Sequence, residues 1–236
     1  MSTPATASSP CRGRSVSSST RRPRRRAAEP MRLYSENSSP FSAPVRIAIY
    51  AKSLDIEIVA PPGGLRSAQY HAINPLGTIP CLILDGGARL PESSAIIEYL
   101  EEKFPQPRLL PEGAEARANV RLLQRIGELH IAAQTVELAQ AAPNTEESAT
   151  RLTRLVRGLS ALQTLLSGTP FAAGPELTLA DCQLAPALFR VPRVVAPLVN
   201  RDLIAAYPAV ARYVETSRKH PAVARVLDEL GAALDK

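Results

Sequence analysis

Tryptophan is absent from the 236 residues, aromatic side chains make up only 4% of them, and cysteine occurs three times. None of Cys11, Cys81 and Cys182 stands in a C-x-x-C pair, so the chain encodes neither a disulfide framework nor a thiolate zinc site. A reducing, cytoplasmic setting fits that usage, with Cys81 and Cys182 as small buried hydrophobes. The histidines His71, His130 and His220 show no metal-ligand spacing, which points away from a metal cofactor. No apolar run reaches the roughly 18 residues of a membrane-spanning helix. An apolar secretory segment is likewise missing near Met1.

A net charge of +6 suggests an acidic partner until the charges are located. Residues 1–30 hold seven arginines, Arg12, Arg14, Arg21, Arg22, Arg24, Arg25 and Arg26, against the single acid Glu29, leaving 21 basic and 21 acidic residues in the remainder. The body of the chain therefore offers no overall basic bias toward nucleic acid or a membrane surface. Rich in Ser, Arg, Pro and Ala, residues 1–30 have too little apolar surface to offset the entropy of ordering, and they read as a disordered basic tail. Three origins stay open: a translation start placed ahead of a natural one at Met31, a targeting segment, or an arm that touches phosphates.

With 45% hydrophobic residues, the remainder has ample chain to bury a core. From Arg32 to about Phe104, short apolar strands alternate with helical spacing. The patterns predict strands over 32–35, 55–59, 81–84 and 88–90, with helices over 44–53, 67–72 and 91–103. Pro44 and Pro91 suit the first turn of a helix, where a missing N–H costs nothing. The resulting order, βαβαββα, describes a small sheet covered by helices. The prolines of FPQPRLLPEG mark a linker, taken as 105–113, between a first domain at 31–104 and an all-helical second domain at 114–236. Helices are predicted there over 114–141, 146–167, 179–189, 200–216 and 221–234. The acidic run Glu98, Glu101 and Glu102 reads as a solvated helix face.

Three segments of the first domain carry chemistry. Ser38 and Ser39, between the first strand and first helix, either cap that helix or offer a hydroxyl beside free backbone N–H groups, a seat for an anion. Pro80, directly before the strand 81–84, marks an edge, a bulge or a cis bond. A cis bond would turn the Ile79 main chain outward to pair with an extended ligand. Glu92-Ser93-Ser94 opens the third helix. It is either an ordinary capped start or a site whose N–H groups and hydroxyl take a carboxylate while Glu92 takes an ammonium group, as an amino-acid head group requires.

Together and in this order, LYSENSSPFSAPVRIAIYAK, INPLGTIPCL, PESSAIIEYLEEKFP and TLADCQLAP resemble the cytosolic glutathione S-transferases, over essentially everything after the tail. The pattern is closest to the serine-type, theta- and zeta-like members of bacterial appearance. The resemblance implies a thioredoxin-like N-terminal domain, an all-helical C-terminal domain, glutathione as co-substrate without a metal, a small electrophile as second substrate, and a homodimer. It places Ser39 where the serine hydrogen-bonds the glutathione sulfur. Ile79, beside a cis Pro80, falls where the backbone meets the cysteinyl part, and Glu92 and Ser93 fall at the γ-glutamyl end. Phe41, His130 and Gln134 are candidates for the electrophile pocket. Thr178 and Asp181 match a structural capping box, with Leu177 and Cys182 as its hydrophobic staple.

Several positions depart from the pattern. Ser39-Pro40-Phe41 stands where a zeta-type maleylacetoacetate isomerase has Ser-Ser-Cys, and no cysteine near position 39 matches the omega- or beta-like members. Leu65 stands where theta-like proteins keep a histidine for the glycyl carboxylate, leaving Arg66 or His71 for that task. The implied reaction is attack by the glutathione sulfur on an electrophilic carbon. Two other readings use the same fold: an interaction protein of the stringent-starvation type, which binds RNA polymerase, and a glutathione-dependent isomerase, lyase or dehalogenase.

Overall fold

The computed structural model describes Met1 and residues 30–168, 170–199 and 202–235, so the basic-tail reading lies outside the described residues except at its ends. The first half runs β1 (Arg32–Tyr34), α1 (Ser42–Ala51), β2 (Glu57–Val59), α2 (Ala68–Ile73), β3 (Cys81–Ile83), β4 (Arg89–Pro91) and α3 (Ser93–Lys103), the βαβαββα order read from the sequence. The sheet order is β2-β1-β3-β4. Across the α1 crossover β1 and β2 are parallel, while β3 runs antiparallel to both β1 and β4. The two-residue period of a strand divides the core. Leu33 and Leu82 face α1 and α3, whereas Tyr34 and Cys81 face Tyr70 of α2.

Pro91 ends β4 instead of opening α3, standing opposite Cys81. It sits on the edge strand, where a residue lacking an N–H costs no ladder bond on the open side.

The spacing predicts one helix over 114–141, and the chain forms one continuous rod there in three pieces: α4 (Ala114–Ile126), a π-helical segment (Gly127–Ala132) and α5 (Ala133–Gln140). It is followed by α6 (Glu146–Leu165), α7 (Leu179–Val199), a 3-10 turn (Ile204–Ala206), α8 (Pro208–Ser217) and α9 (Pro221–Leu234). Close crossing on both sides of the π segment depends on glycine. A Cβ at Gly127 would stand 2.9 Å from Leu184 of α7, and one at Gly158 of α6 would stand 2.8 Å from the His130 Cβ.

Two predicted bounds in this half are wrong. Helix α7 continues ten residues beyond 189, through both Pro192 and Pro197, and Val191 and Val195 are fully buried along that stretch. The helix predicted over 200–216 begins only at Pro208, which takes the first-turn position. No helix among the described residues is long and apolar enough to cross a membrane.

One hydrophobic cluster runs through both halves, joining Leu33, Leu82 and the apolar sides of α1 and α3 to α4, α7 and α9. A buried polar knot closes the linker over this core. Lys52 pairs with Glu101 at 2.6 Å and donates to the Phe104 and Pro107 carbonyls at 2.7 and 2.6 Å. Glu101 in turn accepts from the Leu109 and Leu110 N–H groups. The solvated-face reading of Glu101 is therefore overturned. It follows Ile97 by four residues and shares that buried face, while Glu102 is exposed.

Candidate functional site

Residues 35–41 fold over the start of α1, and Ser39 is tied there by three bonds. Its N–H donates to the Glu36 carbonyl at 3.2 Å, its carbonyl accepts from the Ala43 N–H at 3.2 Å, and its Oγ accepts from the Ser42 N–H at 3.1 Å. Ser39 thus does cap α1. Capping occupies only a lone pair of the hydroxyl oxygen, however, and the hydroxyl proton has no acceptor among the described residues. The capping role and the anion-binding role use different parts of one group and are compatible.

Two buried arginines hold this loop. Arg46 of α1 donates to the Asn37 Oδ1 at 2.6 Å and to the Asn37 carbonyl at 3.1 Å, and it pairs with Glu229 of α9. Arg190 of α7 donates to the Ser38 carbonyl at 3.3 Å. Burial lowers the pKa of both guanidinium groups. Glu229 opposes that shift at Arg46, and no acid opposes it at Arg190.

The Ile79–Pro80 peptide bond is cis. The preceding turn is fixed from below: the Tyr70 hydroxyl and the Asn74 Nδ2 both donate to the Thr78 carbonyl at 2.7 Å. Burial pushes the Tyr70 phenol up to about 12, so it remains a donor at neutral pH. Gly77 adopts φ +65° under the imidazole of His71, and a Cβ there would come within 2.5 Å of that ring. The Ile79 N–H and C=O make no hydrogen bond to another described residue, so a stretch of main chain stands ready for strand-like pairing.

Across from it lies the start of α3. Glu92, exposed, takes φ +73° between β4 and the helix, a left-handed backbone that a residue with a Cβ adopts at a cost of about 1–3 kcal/mol. No side chain caps the helix. The Ser94 hydroxyl donates to Glu128 of the π segment at 2.7 Å, whereas the Ser93 hydroxyl makes no bond within the described residues.

A cleft of about 180 Å³ gathers Phe41, Thr78, Ile79, Pro80, Glu92 and Ser93. It brings together five of the residues singled out from the sequence and adds Thr78. Ser39 stands two residues before Phe41 and is not itself in the lining. His130 is exposed over Gly158, and Gln134 is buried with its Nε2 on the Leu129 carbonyl at 3.0 Å; neither lines the cleft. His71 and Arg66 also lie outside the lining.

Sequence reading missed Thr78, Asn37, Arg46 and Arg190. The two arginines carry a legible signal, a lone charge inside the apolar runs VRIAI and PALFRVP. Among the described residues no cluster of His, Cys, Asp and Glu is arranged to hold a metal ion. The arrangement can serve recognition: unpaired main chain at Ile79, an uncapped helix tip with an unspent Ser93 hydroxyl that could take a carboxylate, and an exposed Glu92 that could take an ammonium group.

Sequence profiles of the glutathione S-transferase N-terminal domain and C-terminal domain match residues 33–108 and 131–216. The chain is 34% identical over 203 residues to a maleylacetoacetate isomerase of Pseudomonas aeruginosa, covering 81% of this chain and 93% of that protein. It is 33% identical over 214 residues to glutathione S-transferase Z1 of Arabidopsis thaliana, covering 85% and 93%. Among solved structures it is similar to the holo form of a maleyl pyruvate isomerase, described as a bacterial zeta-class glutathione S-transferase, with a TM-score of 0.71, 28% identity and coverage of 83% and 95%.

Proposed function

Since the chain belongs to the glutathione S-transferase family, and is an enzyme using glutathione as co-substrate, we propose that the tripeptide lies extended along the cleft with its sulfur at Ser39. The γ-glutamyl carboxylate sits on the tip of α3 at Ser93 and its ammonium group on Glu92. The cysteinyl main chain pairs with Ile79 beside the cis Pro80. Phe41 borders the electrophile. The observation that carries this reading is the cleft itself, where unpaired main chain and an open helix tip converge beside the Ser39 loop.

Ser39 then acts through its unspent proton. A free thiol titrates at about 8.5, so only a few per cent is thiolate at neutral pH. A hydroxyl hydrogen bond and the N-terminal end of α1 favour the anion, each lowered unit being about 1.4 kcal/mol. The thiol proton leaves to solvent. The sulfur lone pair forms the new C–S bond while the leaving group departs with its electron pair. Retention on immobilised glutathione together with a thiol-conjugation assay tests the reading, and Ser39→Ala tests the role. That variant should still bind glutathione and lose about 100-fold in kcat, as when one transition-state hydrogen-bond donor is removed. A kcat within about twofold of wild type would remove Ser39 from the chemistry.

The isomerase relatives favour a second reading of the electrophile step. The activated sulfur adds to a conjugated cis double bond, the resulting single bond rotates, and elimination returns glutathione with the trans product. The interaction-protein reading is not favoured. We take 31–104 as the glutathione-binding domain, 105–113 as its linker and 114–236 as the helical domain, in a cytoplasmic homodimer. The exposed pair Leu122 and Leu129, seven residues apart on the α4 rod, supports a partner surface there.

A further inference from the structure

Of the two buried arginines that hold the Ser39 loop, only one is neutralised. Arg46 meets Glu229. Arg190 is 7% exposed and donates one hydrogen bond, from Nη1 to the Ser38 carbonyl. Its Nε has no partner, and it forms no ion pair with a described residue. A cation withdrawn from water in this way is costly unless an anion meets it. The peptide it holds is the one that precedes Ser39, and that peptide is fixed at both ends: Arg190 grips the Ser38 carbonyl, and the Ser39 N–H donates to Glu36.

We propose that Arg190 is the positioning residue of the sulfur site, orienting the Ser38–Ser39 peptide so that the Ser39 hydroxyl meets the glutathione sulfur and supplying the unmatched positive charge that favours thiolate over thiol. The inference rests on the reading of Ser39 given above. The other charges on the elements packed around the loop do not supply that charge. Arg46 and Arg225 share Glu229 on α9, Arg193 is exposed over the Phe189 ring one turn along α7, where water screens its charge, and Glu36 in the loop and Glu92 across the cleft are acids.

The test is a titration of bound glutathione by thiolate ultraviolet absorbance, at saturating glutathione, in wild type, Arg190→Met, Arg190→Lys and Ser39→Ala. Arg190→Met should raise the thiol pKa by about one unit while changing glutathione affinity less than about threefold, as loss of one nearby charge predicts. Arg190→Lys keeps the charge and should stay near wild type. It also serves as the decisive arm if the Met variant does not fold, because a folded Lys variant that titrates like free glutathione overturns the proposal. A wild-type pKa in Arg190→Met with a shifted one in Ser39→Ala overturns the Arg190 role alone. A wild-type pKa in both removes the Ser39 reading as well.

Discussion

Helices α3 and α7 open with similar chemistry, an acid and a hydroxyl in the first turn, yet they do opposite things. At α7 every group is spent inside the protein. Fully buried Asp181 accepts from the Thr178 N–H and hydroxyl and from the Ala172 N–H, each at 2.8 Å. The capping box read from the sequence forms by half: Asp181 reaches back to the Thr178 N–H, but the Thr178 hydroxyl donates to the carboxylate instead of accepting from its N–H. A charge-assisted bond wins over a neutral one. Leu177 and Cys182 are both buried beside it. At α3 no side chain caps the helix, Glu92 is exposed on a left-handed backbone, and the Ser93 hydroxyl is unspent. Unspent hydrogen-bonding capacity, and not residue type, separates an open helix tip from a girder.

Matched deletions at the two helix starts would break this comparison most directly. Asp181→Ala leaves buried N–H groups at Ala172 and Thr178 without acceptors, at about 1–3 kcal/mol each, so unfolding stability should fall by about 3–5 kcal/mol. The fraction that stays folded should keep its glutathione affinity. Ser93→Ala should show the reverse, stability within about 0.5 kcal/mol of wild type and glutathione affinity down about tenfold. Urea unfolding and calorimetric titration read both. Equal stability losses at the two positions would show that α3 is closed in the same way as α7.

The left-handed Glu92 allows a sharper and smaller test. Glycine adopts that backbone freely, so Glu92→Gly should raise stability by about 1 kcal/mol, even after the glycine's extra unfolded-chain entropy. Glutathione affinity should fall by about tenfold with loss of the charged partner. A variant less stable than wild type would mean that the Glu92 side chain contributes to the fold, and the open-tip description of α3 would fail.

How much of this was legible depends on how far apart the cooperating residues lie. The element order βαβαββα follows from short alternating runs, and Ile79, Pro80, Glu92 and Ser93, which the structure gathers in one cleft, stand out because each sits at or near the point where a strand or helix begins. The bound at Pro91 is misplaced because proline is a local signal whereas an edge strand is a tertiary fact, and the helix expected to stop at 189 runs on where the burial of Val191 and Val195 is another. His130 lies in the π segment and Gln134 just beyond it, a departure from the helical period that no sequence pattern reveals. The contact of Arg190 with Ser38 joins residues 152 apart, and only the packing of α7 on α1 brings them together.

A third helix start lies between the two extremes, because its cap can be titrated. The His220 Nδ1 accepts from the Ala222 N–H at 3.2 Å at the start of α9, the helix whose Glu229 holds Arg46 and, through it, Asn37. An imidazole nitrogen accepts only when unprotonated, and burial lowers the His220 pKa below 6.5 in the folded protein. The unfolded chain therefore takes up the proton first as pH falls. The cap's contribution is complete above about 6.5 and is lost as pH drops from there through the lowered folded value. Asn caps equally well and does not titrate in this range. Between about pH 7.5 and 5, wild type should lose about 1 kcal/mol more than His220→Asn, with all other titrating groups cancelling in the difference. Urea midpoints at the two pH values measure it, and parallel losses in the two proteins would show that α9 does not depend on the imidazole.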